Sequence, residues 1–163
     1  IGVFAITDII LSGFGRDHLA DKLNTEKYTL KGYGFSMQEF FKWIPNAVIS
    51  SIIGIGIGIL PGIGGSTSGL LAYTVEKNRS KTPELYGTGI AEGIIASEAA
   101  NNATIGGSMI PLLCMGIPGN TVSAIFLGGL QVHAISPGPL IFDKSGNYVY
   151  GIYLAFIIST IFI

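Results

Sequence analysis

The sequence predicts an all-α integral membrane protein, a multi-span helical bundle with a re-entrant hairpin and helices interrupted at Pro-Gly steps. Three observations carry that prediction. Charged side chains make up 12% of the 163 residues, about half the roughly 25% of a soluble domain. The charges are clustered: residues 43–75 form a run of 33, and residues 99–142 a run of 44, without Asp, Glu, Lys or Arg. Hydrophobic residues reach 48% and mean hydropathy is +0.57, which excludes disorder, a state that needs low hydrophobicity.

The same arithmetic narrows the function classes. A net charge of −1 gives no basic field for nucleic acid. The lone cysteine, Cys114, has no internal partner and reads as a small apolar residue. The chain starts at Ile1 without an initiator Met and stops at Ile163 within an apolar run. It therefore reads as an internal piece of a longer polypeptide, in which no signal peptide is expected.

Taken in order, residues 1–14 read as the end of a span. Residues 15–42 form a polar connection with nine charged side chains and with Gly32 and Gly34 as breakers. It leads into Phe40, Phe41 and Trp43, aromatics flanked by Lys as in a headgroup region. Residues 44–75 cannot be one straight helix. Their 32 positions would reach about 48 Å, against roughly 30 Å of hydrocarbon. Leu60-Pro61-Gly62-Ile63-Gly64-Gly65 breaks the run, because proline removes a donor and glycine frees the backbone. The result is an arm at 44–60 and a shorter one at 66–76. Lys and Arg on both flanks place the two ends on one side by the positive-inside rule. That makes 44–76 a re-entrant hairpin, with a broken helix crossing once as the alternative. Ile53-Gly54-Ile55-Gly56-Ile57-Gly58-Ile59 alternates like a strand. An isolated strand in lipid leaves its backbone unpaired, whereas on a helix Gly54, Gly58 and Gly62 make a smooth face for close packing.

Residues 85–142 read as broken helices. A helix over 88–103 carries Glu92, Glu98, Asn101 and Asn102, an apolar stretch fills 105–115, and Gly116-Ile117-Pro118-Gly119-Asn120 interrupts it. A further segment over 121–134 ends at Ser136-Pro137-Gly138-Pro139, and residues 147–163 begin another span.

Interrupted helices at membrane depth survive where protein or a water-filled cavity satisfies their backbone. Exposed N–H groups can then meet an anion and freed carbonyls a cation, as in secondary transporters. Gly64, Gly65, Ser66 and Thr67 set small donors at a helix start, and Gly119, Asn120 and Thr121 repeat that chemistry after the next break. These are candidate substrate-binding residues, with Asn101 and Asn102. The alternative is that Ser66 and Asn120 only cap their helices. Glu98, Asn101 and Asn102 lie at i, i+3 and i+4 and share a face. A carboxylate in lipid should turn toward protein. Glu98 and Asn102 are thus candidates to hold sodium or take up a proton, or else members of an interhelical hydrogen-bond cluster. Pro61, Gly62, Pro118, Gly119, Pro137 and Gly138 mark the helix breaks.

Enzymatic readings fail. No Gly-Lys-Ser or Gly-Lys-Thr exists for a P-loop, and no register gives G-x-G-x-x-G. His18 and His133 are far apart in the sequence, and Cys114 is the single thiol, so no metal-ligand cluster is visible. His133 reads as a helix-end hydrogen bonder.

Glu92-Gly93, Glu98-Ala99-Ala100-Asn101-Asn102-Ala103, Gly106-Gly107, Ile110-Pro111-Leu112-Leu113 and Gly116-Ile117-Pro118-Gly119 form an ordered pattern. With Leu60-Pro61-Gly62-Ile63-Gly64 and Pro137-Gly138-Pro139-Leu140, it resembles the large membrane subunit of the bacterial tripartite tricarboxylate transporters. The likeness covers the whole chain, as a fragment from that subunit's second half. Ser97 departs from the proline frequent there. The resemblance implies a multi-pass permease of the bacterial inner membrane that works with a small membrane subunit and a periplasmic substrate-binding protein. It implies import of citrate or related carboxylates driven by an ion gradient, sodium or proton, with no other cofactor. It also implies that residues 61–68 and 116–121 face one another at the site.

Overall fold

The computed structural model describes residues 37–162 together with Ile6 and Ile10. The expected span end at 1–14, apart from those two residues, and residues 15–36 of the polar connection lie outside the described residues. Among the described residues the elements are helical: α1 (Met37–Ile59), α2 (Gly65–Arg79), a 3₁₀ turn at Pro83–Leu85, α3 (Ala91–Met115), α4 (Thr121–Val132) and α5 (Ile141–Ser159). Of these, α1 alone is both long and apolar enough to cross a membrane by length and composition.

Helix α1 begins seven residues before the expected start at 44. Glu39 in its first turn suits the positive end of the dipole. The helix also carries Pro45 within it. The chain turns through 60–64, where Gly62 (φ 85°) and Gly64 (φ 78°) take left-handed conformations that a side chain resists. Helix α2 then runs three residues past the expected end at 76, with Lys77 and Arg79 in its last turn, where the dipole favours cations. The apolar and polar parts of 91–115, separate in the sequence reading, form one helix. It ends at Gly116 (φ 72°), whose N–H donates to Leu112 O at 2.9 Å. The last helix starts at Ile141 rather than 147, but Ser145 breaks it (φ −138°, ψ 25°). The continuous part beyond that kink begins next to the expected position.

Helix α3 is the template for the first two. Asn46 donates to Glu92 O at 3.0 Å, and Gly54 and Gly58 lie against Ala100 and Thr104. Equal steps along both helices mean that α1 and α3 run parallel. Gly65 lies beside Asn101, Gly69 beside Ser97 and Gly93 beside Tyr73, so each step along α2 is a step back along α3. The two therefore run antiparallel, and α1 with α2 forms a helical hairpin laid on α3.

These contacts are made backbone to backbone. A Cβ on Gly54 would overlap the carbonyl of Ala100, and one on Gly58 would reach Gly107 Cα at 2.9 Å. Gly54 and Gly58 thus form the smooth face expected of them. Gly62 does not join it, because it sits exposed in the turn. At the far end Trp43 Nε1 donates to Glu92 Oε1 at 3.3 Å, and Lys42 Nζ approaches the same oxygen at 3.9 Å. In the link between α2 and α3, Tyr86 is buried against Tyr73. Burial raises its phenol above the ordinary value, and Glu76 and Glu92 push the same way, against a hydrogen bond with Ser80.

The second half is held by side chains. Met109, Leu112 and Leu113 of α3 pack with Leu130, Ile135, Ile141 and Val149, and Phe126 stacks on Phe156. Ile52, Leu70, Ile125, Leu154 and Ile157 remain exposed, as expected of helices that face lipid or further protein.

Candidate functional site

The first two helix breaks meet. The N–H of Gly62 donates to the carbonyl of Gly119 at 2.8 Å, so the turn at 60–64 and the segment at 116–120 are joined through main chain. Glycine is needed at the second partner, since a Cβ on Gly119 would stand 2.9 Å from Ser108 Cβ and 3.0 Å from Gly58 O. The third break lies one layer away, where Gly138 N donates to Leu113 O at 2.9 Å. Pro61 is exposed, whereas Pro118 and Pro137 are half-buried.

Helix α2 starts without a side-chain cap. Gly64 is its N-cap, not Ser66 as the capping alternative supposed. Glycine has no side chain to offer, and Ser66 already lies inside the first turn. Of the hydroxyls nearby, Thr67 Oγ1 donates back to Ile63 O at 3.2 Å and Ser68 Oγ to Gly65 O at 2.7 Å. The first N–H groups of a helix have no partner within it, so this terminus retains its donors and its positive dipole end.

Beside it opens a cleft of about 410 Å³ between α2 and α3, with Gly65, Ser66, Tyr73, Ser97, Glu98 and Asn101 in its wall. That volume falls within the range of small-molecule sites. Four residues singled out in the sequence, Gly65, Ser66, Glu98 and Asn101, are therefore neighbours. Glu98 is exposed in this body rather than turned into it, and it also lines the adjoining cleft of about 340 Å³ with Gly87, Gly89 and Ile94.

Other expected members lie apart from the cleft. Asn102 donates from Nδ2 to Glu98 O at 2.9 Å within its own helix and does not line the cleft. Glu98 and Asn102 share a helix face, and the bond between them runs from the Asn102 side chain to the Glu98 main chain. Asn120 is a true cap: its Oδ1 accepts from Ser123 N, and Ser123 Oγ accepts from Asn120 N, both at 2.9 Å. This capping box engages the Oδ1 of the residue that the sequence offered as a ligand. Thr121 begins α4 and is exposed. His133 is the C-cap of α4, with its N–H toward Gly129 O and Leu130 O, and Cys114 is half-buried. No grouping of three or more His, Cys, Asp or Glu that could hold a metal occurs among the described residues.

One cluster escaped the sequence reading. Thr104 Oγ1 stands 2.5 Å from Ser68 Oγ, 2.8 Å from Ala100 O and 3.1 Å from Gly54 O. It joins α1, α2 and α3 at one buried point, and Ser68 bonds to the carbonyl of Gly65, which lines the cleft. The signal was faint. Ser68 reads as the third of three small polar residues, and Thr104 is one hydroxyl at the start of an apolar run.

The sequence profile of the tripartite tricarboxylate transporter TctA family matches residues 1–163. The chain is 34% identical over 154 residues to an uncharacterized 52.8 kDa protein in the TAR-I ttuC′ 3′ region of Agrobacterium vitis, which covers 93% of this chain and 30% of that protein. It is 41% identical over 96 residues to an uncharacterized protein in the TAR-II ttuC′ 3′ region of the same organism, 59% of this chain and 40% of that relative. The chain thus spans less than half the length of these curated relatives. No solved structure matches it.

Proposed function

The chain belongs to the tripartite tricarboxylate transporter TctA family, and from that premise we propose that it is part of a permease subunit importing carboxylates across the bacterial inner membrane. The family is one of transporters, so the protein is not an enzyme. The permease works as a secondary transporter. A periplasmic binding protein delivers the substrate, a small membrane subunit completes the assembly, and a sodium or proton gradient drives uptake.

The observation that carries this reading is the cleft at the uncapped start of α2. Free N–H groups and the Ser66 hydroxyl suit one carboxylate of the substrate, and the Asn101 amide suits a second polar group. The paired breaks at Gly62 and Gly119 support irregular backbone facing protein rather than lipid. In the membrane α1 and α2 form the re-entrant hairpin, with the 60–64 turn at its tip.

The test is uptake of labelled citrate and a panel of di- and monocarboxylates by cells expressing the complete subunit with both partners. Saturable uptake that needs the binding protein and an ion gradient is expected. Ser66→Ala and Asn101→Ala should raise KM while membrane insertion is unchanged. Non-saturating flux that persists with the gradients collapsed would instead identify a passive pore.

A further inference from the structure

The geometry points to Tyr73 as a specificity-determining residue, a bar that sets how long a carboxylate the cleft beside α2 accepts. The inference rests on the carboxylate reading above and adds a length limit to the same site. Tyr73 lines both the cleft of about 410 Å³ and the adjoining one of about 340 Å³, as do Ser97 and Glu98. The two clefts are therefore successive stretches of one groove between α2 and α3. Tyr73 stands where they meet.

The pairing of the helices shows why the groove is divided there. Gly65 lies beside Asn101, Gly69 beside Ser97 and Tyr73 beside Gly93. In the first two pairs the glycine is on α2, so the inner floor is low. In the third the order reverses, and α2 supplies the large side chain. A Cβ on Gly93 would stand 2.9 Å from Tyr73 Cε2, so the ring already rests on the backbone of α3 and crosses the groove. Tyr86 is buried beside the same glycine, 3.5 Å from that point. It meets Tyr73 edge to face with centroids 5.4 Å apart, a favoured aromatic arrangement that holds the half-buried ring in place.

The length limit follows from helical rise. Gly65 and Tyr73 are eight residues apart, as are Asn101 and Gly93, which sets the bar about 12 Å along either helix from the anion-binding end. An acid anchored by one carboxylate at Ser66 runs along Gly69 and stops against the ring. A longer chain has to pass Tyr73 into the outer cleft, where Gly87 and Gly89 leave the wall bare. Glu98 is exposed, so water and salt screen its charge from the far carboxylate.

The test uses the full-length subunit purified with the small membrane subunit, without the binding protein, so that only the permease selects. Its native cysteines, Cys114 among them, are replaced by alanine. A single reporter is then introduced by Leu70→Cys in the inner cleft or Ile94→Cys in the outer one, both exposed positions. Labelling by a methanethiosulfonate reagent is followed with straight-chain dicarboxylates from succinate to sebacate. Saturating succinate or glutarate should slow labelling of Leu70→Cys about tenfold and leave Ile94→Cys unchanged, while suberate and sebacate protect neither. In Tyr73→Ala the long acids should protect both reporters, whereas Tyr73→Phe, which keeps the ring, should retain the limit. Tyr73→Trp is the opposite arm: the longest acid that protects the unmodified protein should lose its effect. Long acids that protect both reporters with Tyr73 intact would overturn the bar. So would an unchanged limit in Tyr73→Trp, or in a folded Tyr73→Ala. No protection of Leu70→Cys by any acid would remove the carboxylate reading itself, and the length limit with it.

Discussion

Helices α1, α2 and the first half of α3 touch through glycine and main-chain carbonyls, whereas the end of α3, α4 and α5 touch through Met109, Leu112, Leu113, Leu130 and Ile141. Lipid is as apolar as leucine, so little hydrophobic drive joins helices within it, and close approach with hydrogen-bonded polar residues supplies the attraction. The glycine-packed region holds its buried polar atoms against α3 at close range. It also carries the cleft, and a binding site profits from rigid walls. The side-chain cluster fixes α5 and the third break, beside a larger and mainly apolar cleft of about 740 Å³ lined by Phe126, Leu130, His133, Asn147 and Ile152.

Substitutions break this comparison in a graded way, each read as the unfolding midpoint of the full-length subunit in detergent. Leu112→Ala should cost most, about 2–5 kcal/mol, because its neighbours cannot close over the lost volume. Gly58→Ala adds only a methyl group, yet it should cost about 1–3 kcal/mol, since the Cβ meets the backbone of Thr104, Gly107 and Ser108. A midpoint unchanged by Gly58→Ala would mean that α1 and α3 are farther apart than described. Asn120→Ala removes one half of the capping box and should cost about 1 kcal/mol. If it abolished uptake without lowering the midpoint, Asn120 would be a ligand as well as a cap. Gly56→Ala, on the same helix as Gly58, meets nothing within 4 Å. It should leave stability equal or raise it by about 0.5–1 kcal/mol through helix propensity. Opposite signs at positions 56 and 58 would isolate packing from propensity.

The distribution of charge was enough to read a helical membrane protein, and Pro61-Gly62 and Pro118-Gly119 were enough to place two breaks. These are local effects: a missing N–H or a left-handed turn acts wherever it stands in the chain. The ordered pattern from Glu92 to Gly119 also identified the family before any coordinates. Boundaries were less legible. Residues 37–42 are polar enough to read as connection, yet they extend α1, because Trp43 and Lys42 find Glu92 across the interface.

The contacts of the polar residues were decided by tertiary structure alone. Helical spacing put Asn101 and Asn102 on one face, but the turn of the helix toward α2 sends Asn101 to the cleft, while Asn102 bonds to its own backbone. Asn120 and Ser66 read alike in sequence, and the capping box took one while a glycine cap freed the other. Ser68 and Thr104, 36 positions apart, met through the antiparallel run of α2 on α3. Composition and breaker residues act through the chain's own covalent geometry and its solvent, so the sequence determined helices, breaks and membrane. Which hydroxyl faces which carbonyl depends on how three helices are phased against one another, and only the packed structure sets that phase.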